Sequence, residues 1–140
     1  MSLNRTISFQ ITKQLSKTSL RPNHVTTMAL AFGILSGICM AGGNREWLLL
    51  GALSLHISYL LDNCDGELAR LKSLRSGLGA RYDILADYAV DCALWIGLAL
   101  GAMKVEGHAY WPLWAVAACL GSAINGGMVV WERKKGVAHP

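Results

Sequence analysis

Long stretches of this chain carry no charge, and those gaps limit the folds open to it. No Asp, Glu, Lys or Arg occurs between Arg21 and Arg45, an interval of 23 residues. An apolar run of that length crosses a bilayer as a helix. A signal-peptide core would be shorter and followed by a cleavage site. Three further uncharged intervals occur: 15 residues between Glu46 and Asp62, 12 between Asp91 and Lys104, and 25 between Glu106 and Glu132. The third helix has room to begin earlier, near Ala80. The pattern predicts an all-α integral membrane fold in a single membrane domain over residues 1–140. It has about four transmembrane helices, near 23–42, 46–68, 80–103 and 109–131. Charged residues make up only 16 % of the chain, against roughly 25 % in soluble domains. This excludes an ordinary soluble globule, a disordered tail and a charge-laced coiled coil.

Residues 1–20 have a different character from the rest of the chain. Ile7, Phe9, Ile11 and Leu15 alternate with Arg5, Gln10, Lys13 and Lys17. This is a short amphipathic helix suited to lying in the membrane interface. Arg21-Pro22-Asn23 ends it and opens the first span.

The basic residues set the topology. Eleven fall in three groups: Arg5, Lys13, Lys17 and Arg21; Arg70, Lys72, Arg75 and Arg81; and Arg133, Lys134 and Lys135. The other two connections hold only Arg45 and Lys104. The positive-inside rule then puts both termini and the 70–81 connection in the cytoplasm. The net charge of +4 accompanies no nucleic-acid-binding motif, so no nucleic-acid partner is expected. Cys39, Cys64, Cys92 and Cys119 lie in apolar runs without C-x-x-C spacing and read as small hydrophobes.

All five Asp residues fall in one window: Asp62, Asp65, Asp83, Asp87 and Asp91. Carboxylates at membrane depth are costly unless paired or liganded, so they point to function. The bland alternative, headgroup-level carboxylates bridged to Arg70, Lys72, Arg75 and Arg81, suits one Asp better than five. Asp62 and Asp65 share a helix face at i, i+3, and Asp83, Asp87 and Asp91 share another at i, i+4, i+8. The short 70–81 connection predicts antiparallel neighbours whose acidic faces converge. Clustered carboxylates repel, and a hard divalent cation relieves them: Mg²⁺, Mn²⁺ or Ca²⁺. Two ions about 4 Å apart are a usual partner of phosphoryl chemistry.

Small residues flank the acids. Gly66 and Ala69, with Gly77 and Gly79, leave room for a ligand against the backbone, and Arg70 is placed to hold a phosphate. Helix–helix packing is the bland reading of the same small residues. Gly33-x-x-x-Gly37 and Gly97-x-x-x-Gly101 are candidate packing faces, and either suits a dimer contact. An EF-hand, a P-loop and a dinucleotide fingerprint are all absent.

The run Asp62-Asn63-Cys64-Asp65-Gly66-Glu67-Leu68-Ala69-Arg70, eight further residues, then Gly79-Ala80-Arg81-Tyr82-Asp83-Ile84-Leu85-Ala86-Asp87 resembles the CDP-alcohol phosphotransferase signature. That pattern is D-x-x-D-G-x-x-A-R, a spacer, then G-x-x-x-D-x-x-x-D. All eight fixed positions match. Arg21 to Thr26 also resembles the start of the family's first span. The resemblance implies a helical membrane transferase. It would move a phosphoryl-linked group from a CDP-alcohol, of CDP-diacylglycerol type, to an acceptor hydroxyl and release CMP in phospholipid biosynthesis. It implies two Mg²⁺ or Mn²⁺ ions held by Asp62, Asp65, Asp83 and Asp87. Asp87 would also take the acceptor's proton, and Gly66, Ala69, Arg70 and Gly79 would line the CDP pocket. The family typically has six spans, against the four counted here. A second functional reading is therefore an inactive or partial member that binds CDP-lipid or divalent metal without turnover. A small metal transporter would leave Gly66, Ala69, Arg70 and Gly79 unexplained.

Three expectations concern single residues. Asp91, outside the motif, pairs with Arg81 or else contacts an acceptor. His56 is a buried, hydrogen-bonded histidine. Lys72, Arg75 and Arg81 either favour a phosphorylated acceptor or only follow the positive-inside rule.

Overall fold

The computed structural model describes residues 3–74 and 76–135. Arg75 and the side chains of Arg5, Ile7, Arg133, Lys134 and Lys135, on which the sequence reading drew, lie outside the described set. Five helices run in order: α1 (Leu3–Leu15), α2 (Pro22–Met40), α3 (Arg45–Leu71), α4 (Gly77–Glu106) and α5 (Trp111–Lys135). No strand occurs among the described residues.

Local chemistry sets the helix ends. Arg21 is extended, and Pro22, with φ already suited to a helix, opens α2. The Thr26 and Thr27 hydroxyls donate back to the carbonyls of Pro22 and Asn23, at 3.2 and 2.8 Å. Asn44 caps α3 by accepting from the Trp47 N–H at 3.2 Å, and Ser76 caps α4 by accepting from the Gly79 N–H at 3.0 Å. Gly107, at φ 72°, closes α4 with its N–H on the Met103 carbonyl.

Helix α2 is the hub. It packs on both α3 and α4, while α5 packs on α4 and α1 on α3. The α2–α4 seam is a backbone-to-backbone contact. A methyl group on Gly97 would run into the Gly37 carbonyl, and one on Gly37 into the Ala93 carbonyl. The two candidate glycine faces are thus spent on each other inside the chain. Gly97 and Gly101 do not offer the free surface for a second copy that the sequence reading allowed. On the α3 side, Gly51 lies against Met40 and Ser36, and the buried Ser58 hydroxyl donates to the Ala29 carbonyl at 2.7 Å.

The 70–81 connection does not make α3 and α4 packed neighbours. Among the described residues, no Cα of one helix comes within 8 Å of the other. Each is fastened to α2, and a cleft remains between their acidic faces.

Helix α1 rests on α3 through small polar residues. Among the described side chains of α1, Ser8 and Thr12 are fully buried, against α3, while Phe9 and Ile11 face outward. Thr12 Oγ1 donates to Glu67 Oε2 at 3.0 Å. Leu15 joins a small core of Val25, Cys64 and Leu68 behind the acidic end of α3. The Lys72 ammonium donates to the carbonyls of Thr18 and Leu20, both at 2.7 Å, and ties the α1–α2 connection to the end of α3.

Among the described residues, two helices are long and apolar enough to cross a membrane, α2 with mean hydropathy 1.3 and α4 with 1.6. Helices α3 and α5 are not in that pair. Leu49, Leu53, Leu113, Leu120 and Ile124 on their outer faces are nonetheless exposed.

Candidate active site

The cleft between α3 and α4 gathers the acids. One carboxylate oxygen from each of Asp62, Asp65 and Asp83 lies within 4.8 Å of the others. Asp87 is not in this close trio. Its carboxyl stands beside that of Asp62, one turn from Asp83 on α4. Asp65 is the most enclosed, at 5 % exposure, and accepts a short hydrogen bond from Thr26 Oγ1 on α2. No Lys or Arg is an electrostatic partner of Asp62, Asp65 or Asp87 among the described residues. Lys72, a candidate partner in the bland reading, is engaged with loop carbonyls instead.

Three carboxylates converging from two helices form an all-oxygen donor set. Asp62, Asp65 and Asp83 are therefore placed to hold a divalent metal ion, and the chemistry of the set suits a hard one.

Two cavities meet at these acids. The smaller, about 390 Å³, is lined by Gly66, Ala69, Arg70 and Gly79 together with Asp65 and Asp83. The four residues expected around a nucleotide thus share one pocket. A methyl group on Gly66 would meet nothing within 4 Å, so that glycine borders open space and not a packed helix. At Gly79 the added carbon would sit 3.0 Å from Ser76 Oγ and 3.3 Å from Asn23 Oδ1. Gly77, like Gly66, faces open space, but it is not part of the pocket lining.

The larger cavity, about 990 Å³, runs between α2, α3, α4 and α5. Asp62, Asp83, Asp87 and Asp91 stand on its wall, and Leu30, Leu55, Leu94 and Val130 make much of the rest apolar. Thr26 and Asp83 border both cavities.

Several residues here depart from the sequence reading or are absent from it. His56 is exposed and lines the large cavity; it is not buried. Asp91 does not pair with Arg81, because they stand ten positions apart on α4, about 15 Å of helical rise. Asn23, Thr26 and Ser76 line the small cavity without having been singled out. The likeness of Arg21–Thr26 to a family segment pointed toward Asn23 and Thr26, and nothing pointed toward Ser76. Tyr59, Ser122 and Asn125 line the large cavity, and no sequence signal marked them.

The described residues are helical apart from their connections, and their acid cluster stands between a small cavity and a larger, more apolar one. The chain belongs to the CDP-alcohol phosphatidyltransferase family, which it matches over residues 19–140. Among curated relatives, it is 33 % identical over 122 residues to the bifunctional IPC transferase and DIPP synthase of Thermococcus kodakarensis, covering 87 % of this chain and 26 % of that protein. The protein of the same name from Aquifex aeolicus is 30 % identical over 125 residues, 88 % of this chain and 27 % of its own. The one from Rubrobacter xylanophilus is 38 % identical over 88 residues, 63 % and 20 %. The chain spans about a quarter of the length of these relatives.

Proposed function

We propose that the chain transfers a phosphoryl-linked, phosphatidyl-type group from a CDP-alcohol to an acceptor hydroxyl, with release of CMP, as a step of phospholipid synthesis. The observation that carries this is the acid trio at the junction of the two cavities. The small cavity has the open glycine wall and the guanidinium that a cytidine diphosphate requires. Arg70 binds the phosphates there as a two-pronged donor. The large apolar cavity begins where the diphosphate ends, so the alcohol it receives is a lipid, of the CDP-diacylglycerol kind. A CDP-alcohol then lies across the acids with its scissile phosphate beside them.

Asp62, Asp65, Asp83 and Asp87 would hold two Mg²⁺ or Mn²⁺ ions. When bound, such ions supply Lewis-acid stabilisation of the diphosphate and of the departing CMP. Thr26 holds the Asp65 carboxylate in orientation by donating to it. Asp87, facing the large cavity, accepts the proton of the acceptor hydroxyl as that oxygen attacks phosphorus. The bond from phosphorus to the CMP oxygen breaks as the new ester forms.

The whole chain is read as one membrane domain with four spans. Helices α3 and α5, at 27 and 25 residues, rise about 40 and 37 Å, enough for a hydrocarbon core of about 30 Å. Trp47, Tyr110 and Trp111 gather at the end opposite the acids, where an aromatic belt would lie. The basic split supports a cytoplasmic side for the acids. Helix α1 lies in that interface with Phe9 and Ile11 toward lipid.

The test is CMP release by purified protein in micelles, with CDP-diacylglycerol, Mg²⁺ and a panel of acceptor alcohols. The expected result is release that requires both metal and acceptor and stops with a chelator. Donor binding with no release under any acceptor would instead make the chain a non-catalytic CDP-lipid binder.

A further inference from the structure

Helices α3 and α4 carry the acids but do not pack on each other, so the spacing between them is set through α2. At the acid end, two successive threonines of α2 reach in the two directions. Thr26 donates to Asp65 on α3. Thr27 Oγ1 lies 2.9 Å from the hydroxyl of Tyr82 on α4, one residue before Asp83. Thr27 already gives its single hydroxyl proton to the Asn23 carbonyl, at 2.8 Å, so the tyrosine is the donor of the pair. From these contacts we infer that Tyr82 is a positioning residue: its hydrogen bond to Thr27 fixes how far the helix of Asp83 stands from the helix of Asp65. The inference rests on the metal-dependent transferase reading above and adds the device that sets the separation of its acids.

The seam between α2 and α4 shows why such a device is needed. Tyr82, Val90, Ala93 and Gly97 fall on one stripe of α4 at helical spacing. Gly97 and Ala93 meet the Gly37 backbone, and the Val90 side chain lies against Gly33. Nearer the acids, Tyr82 spans to Thr27 with a whole phenol. The side chains that bridge the seam thus grow from hydrogen to methyl, isopropyl and phenol, and the gap they bridge widens toward the cleft. Close packing holds the two helices at the glycine end, and a hydrogen bond at the tip of a long side chain holds them at the acid end. An aromatic-belt tyrosine presents its hydroxyl to headgroups and water. Tyr82 is half-buried and presents its hydroxyl to a neighbouring helix. The separation matters because the carboxylate oxygens of Asp62, Asp65 and Asp83 converge within 4.8 Å from two helices. A small hard cation such as Mg²⁺ demands oxygen ligands at about 2.1 Å in near-ideal geometry, so a looser cleft weakens its binding.

The test is a double-mutant cycle read in Mn²⁺ affinity, by electron paramagnetic resonance, with wild type, Tyr82→Phe, Thr27→Val and the two changes combined. Each single change removes a hydroxyl and keeps the shape, and should weaken Mn²⁺ binding about 2- to 10-fold, the scale of one neutral hydrogen bond. Both remove the same bond, so the combined variant should bind like either single one. Thr27→Ser, which keeps the hydroxyl, should bind like wild type. The separation itself is read by double electron–electron resonance between nitroxides on a ketone-bearing amino acid placed at Leu71 of α3 and Leu85 of α4, both exposed. The distance distribution should be narrow in wild type and broader or longer in Tyr82→Phe and Thr27→Val. If wild type binds no Mn²⁺, the metal reading fails and this distance alone decides the inference: a broadened distribution upholds it. An unchanged distribution in Tyr82→Phe would overturn it, as would wild-type Mn²⁺ affinity in Tyr82→Phe or losses that add in the combined variant.

Discussion

Glycine does opposite things on the two sides of α4. Along the α2–α4 seam, Gly37 and Gly97 are spaces already filled by the neighbouring backbone. In the α3–α4 cleft, Gly66 is a space filled by nothing in the chain. The first arrangement lets two helices approach closely where no hydrophobic effect drives them together in lipid. The second keeps two helices apart and leaves the gap for something else. Holding α3 and α4 on a common hub is what allows the gap to exist, because each acid-bearing helix is supported from behind by α2.

The largest difference between the regions should appear in turnover. Asp87→Asn in the cleft keeps the side chain's shape and removes its ability to take a proton. Activity should fall by about 10²–10⁴ with the melting temperature unchanged, and added Mg²⁺ should not restore it. Recovery at high metal would leave Asp87 a ligand only.

Next comes stability at the seam. Gly97→Leu forces a side chain into the Gly37 carbonyl, and overpacking of this kind costs about 1–3 kcal/mol or more. Thermal unfolding in detergent should shift down together with loss of expression. An unchanged melting temperature would mean that α2 and α4 are not in backbone contact.

The smallest effect belongs to Gly66→Ala. A methyl group there meets nothing in the protein, so folding should be unaffected, while affinity for a CDP-alcohol should drop, by about tenfold as an order of magnitude for one added methyl crowding a ligand. The sharpest form of the comparison is thus a pair of glycines, one whose loss damages the fold and one whose loss damages only binding.

How much was legible in the sequence depends on where each contact lies along the chain. Asp62 and Asp65, and Asp83 and Asp87, are brought to one face by helix periodicity alone; Gly66, Ala69, Arg70 and Gly79 stood out beside them as small residues and a phosphate donor, and the resemblance added only the nucleotide. The contact of Thr26 with Asp65 was not legible, because it spans 39 residues through the packing of α2 on α3. The same holds for Asn125, which meets the cavity only once α5 packs on α4. The apolar-polar alternation of α1 did not say which of its residues would meet α3. The small polar residues Ser8 and Thr12 of α1 pack inward and Phe9 faces out, as small and polar groups do between helices in a membrane. The pairing of Asp91 with Arg81 was excluded by the helical rise between them once both lie in one continuous helix.

The central claim is that the α3–α4 cleft is a joint site for metal and nucleotide. Electron paramagnetic resonance of Mn²⁺ titrated into the purified chain, with and without CDP, measures this without relying on turnover. The account predicts saturable Mn²⁺ binding that tightens when CDP is present and is lost in Asp65→Asn and in Asp83→Asn. Wild-type protein that leaves Mn²⁺ free, or an Asp62→Asn, Asp65→Asn, Asp83→Asn triple variant that binds it as tightly as wild type, would contradict the claim.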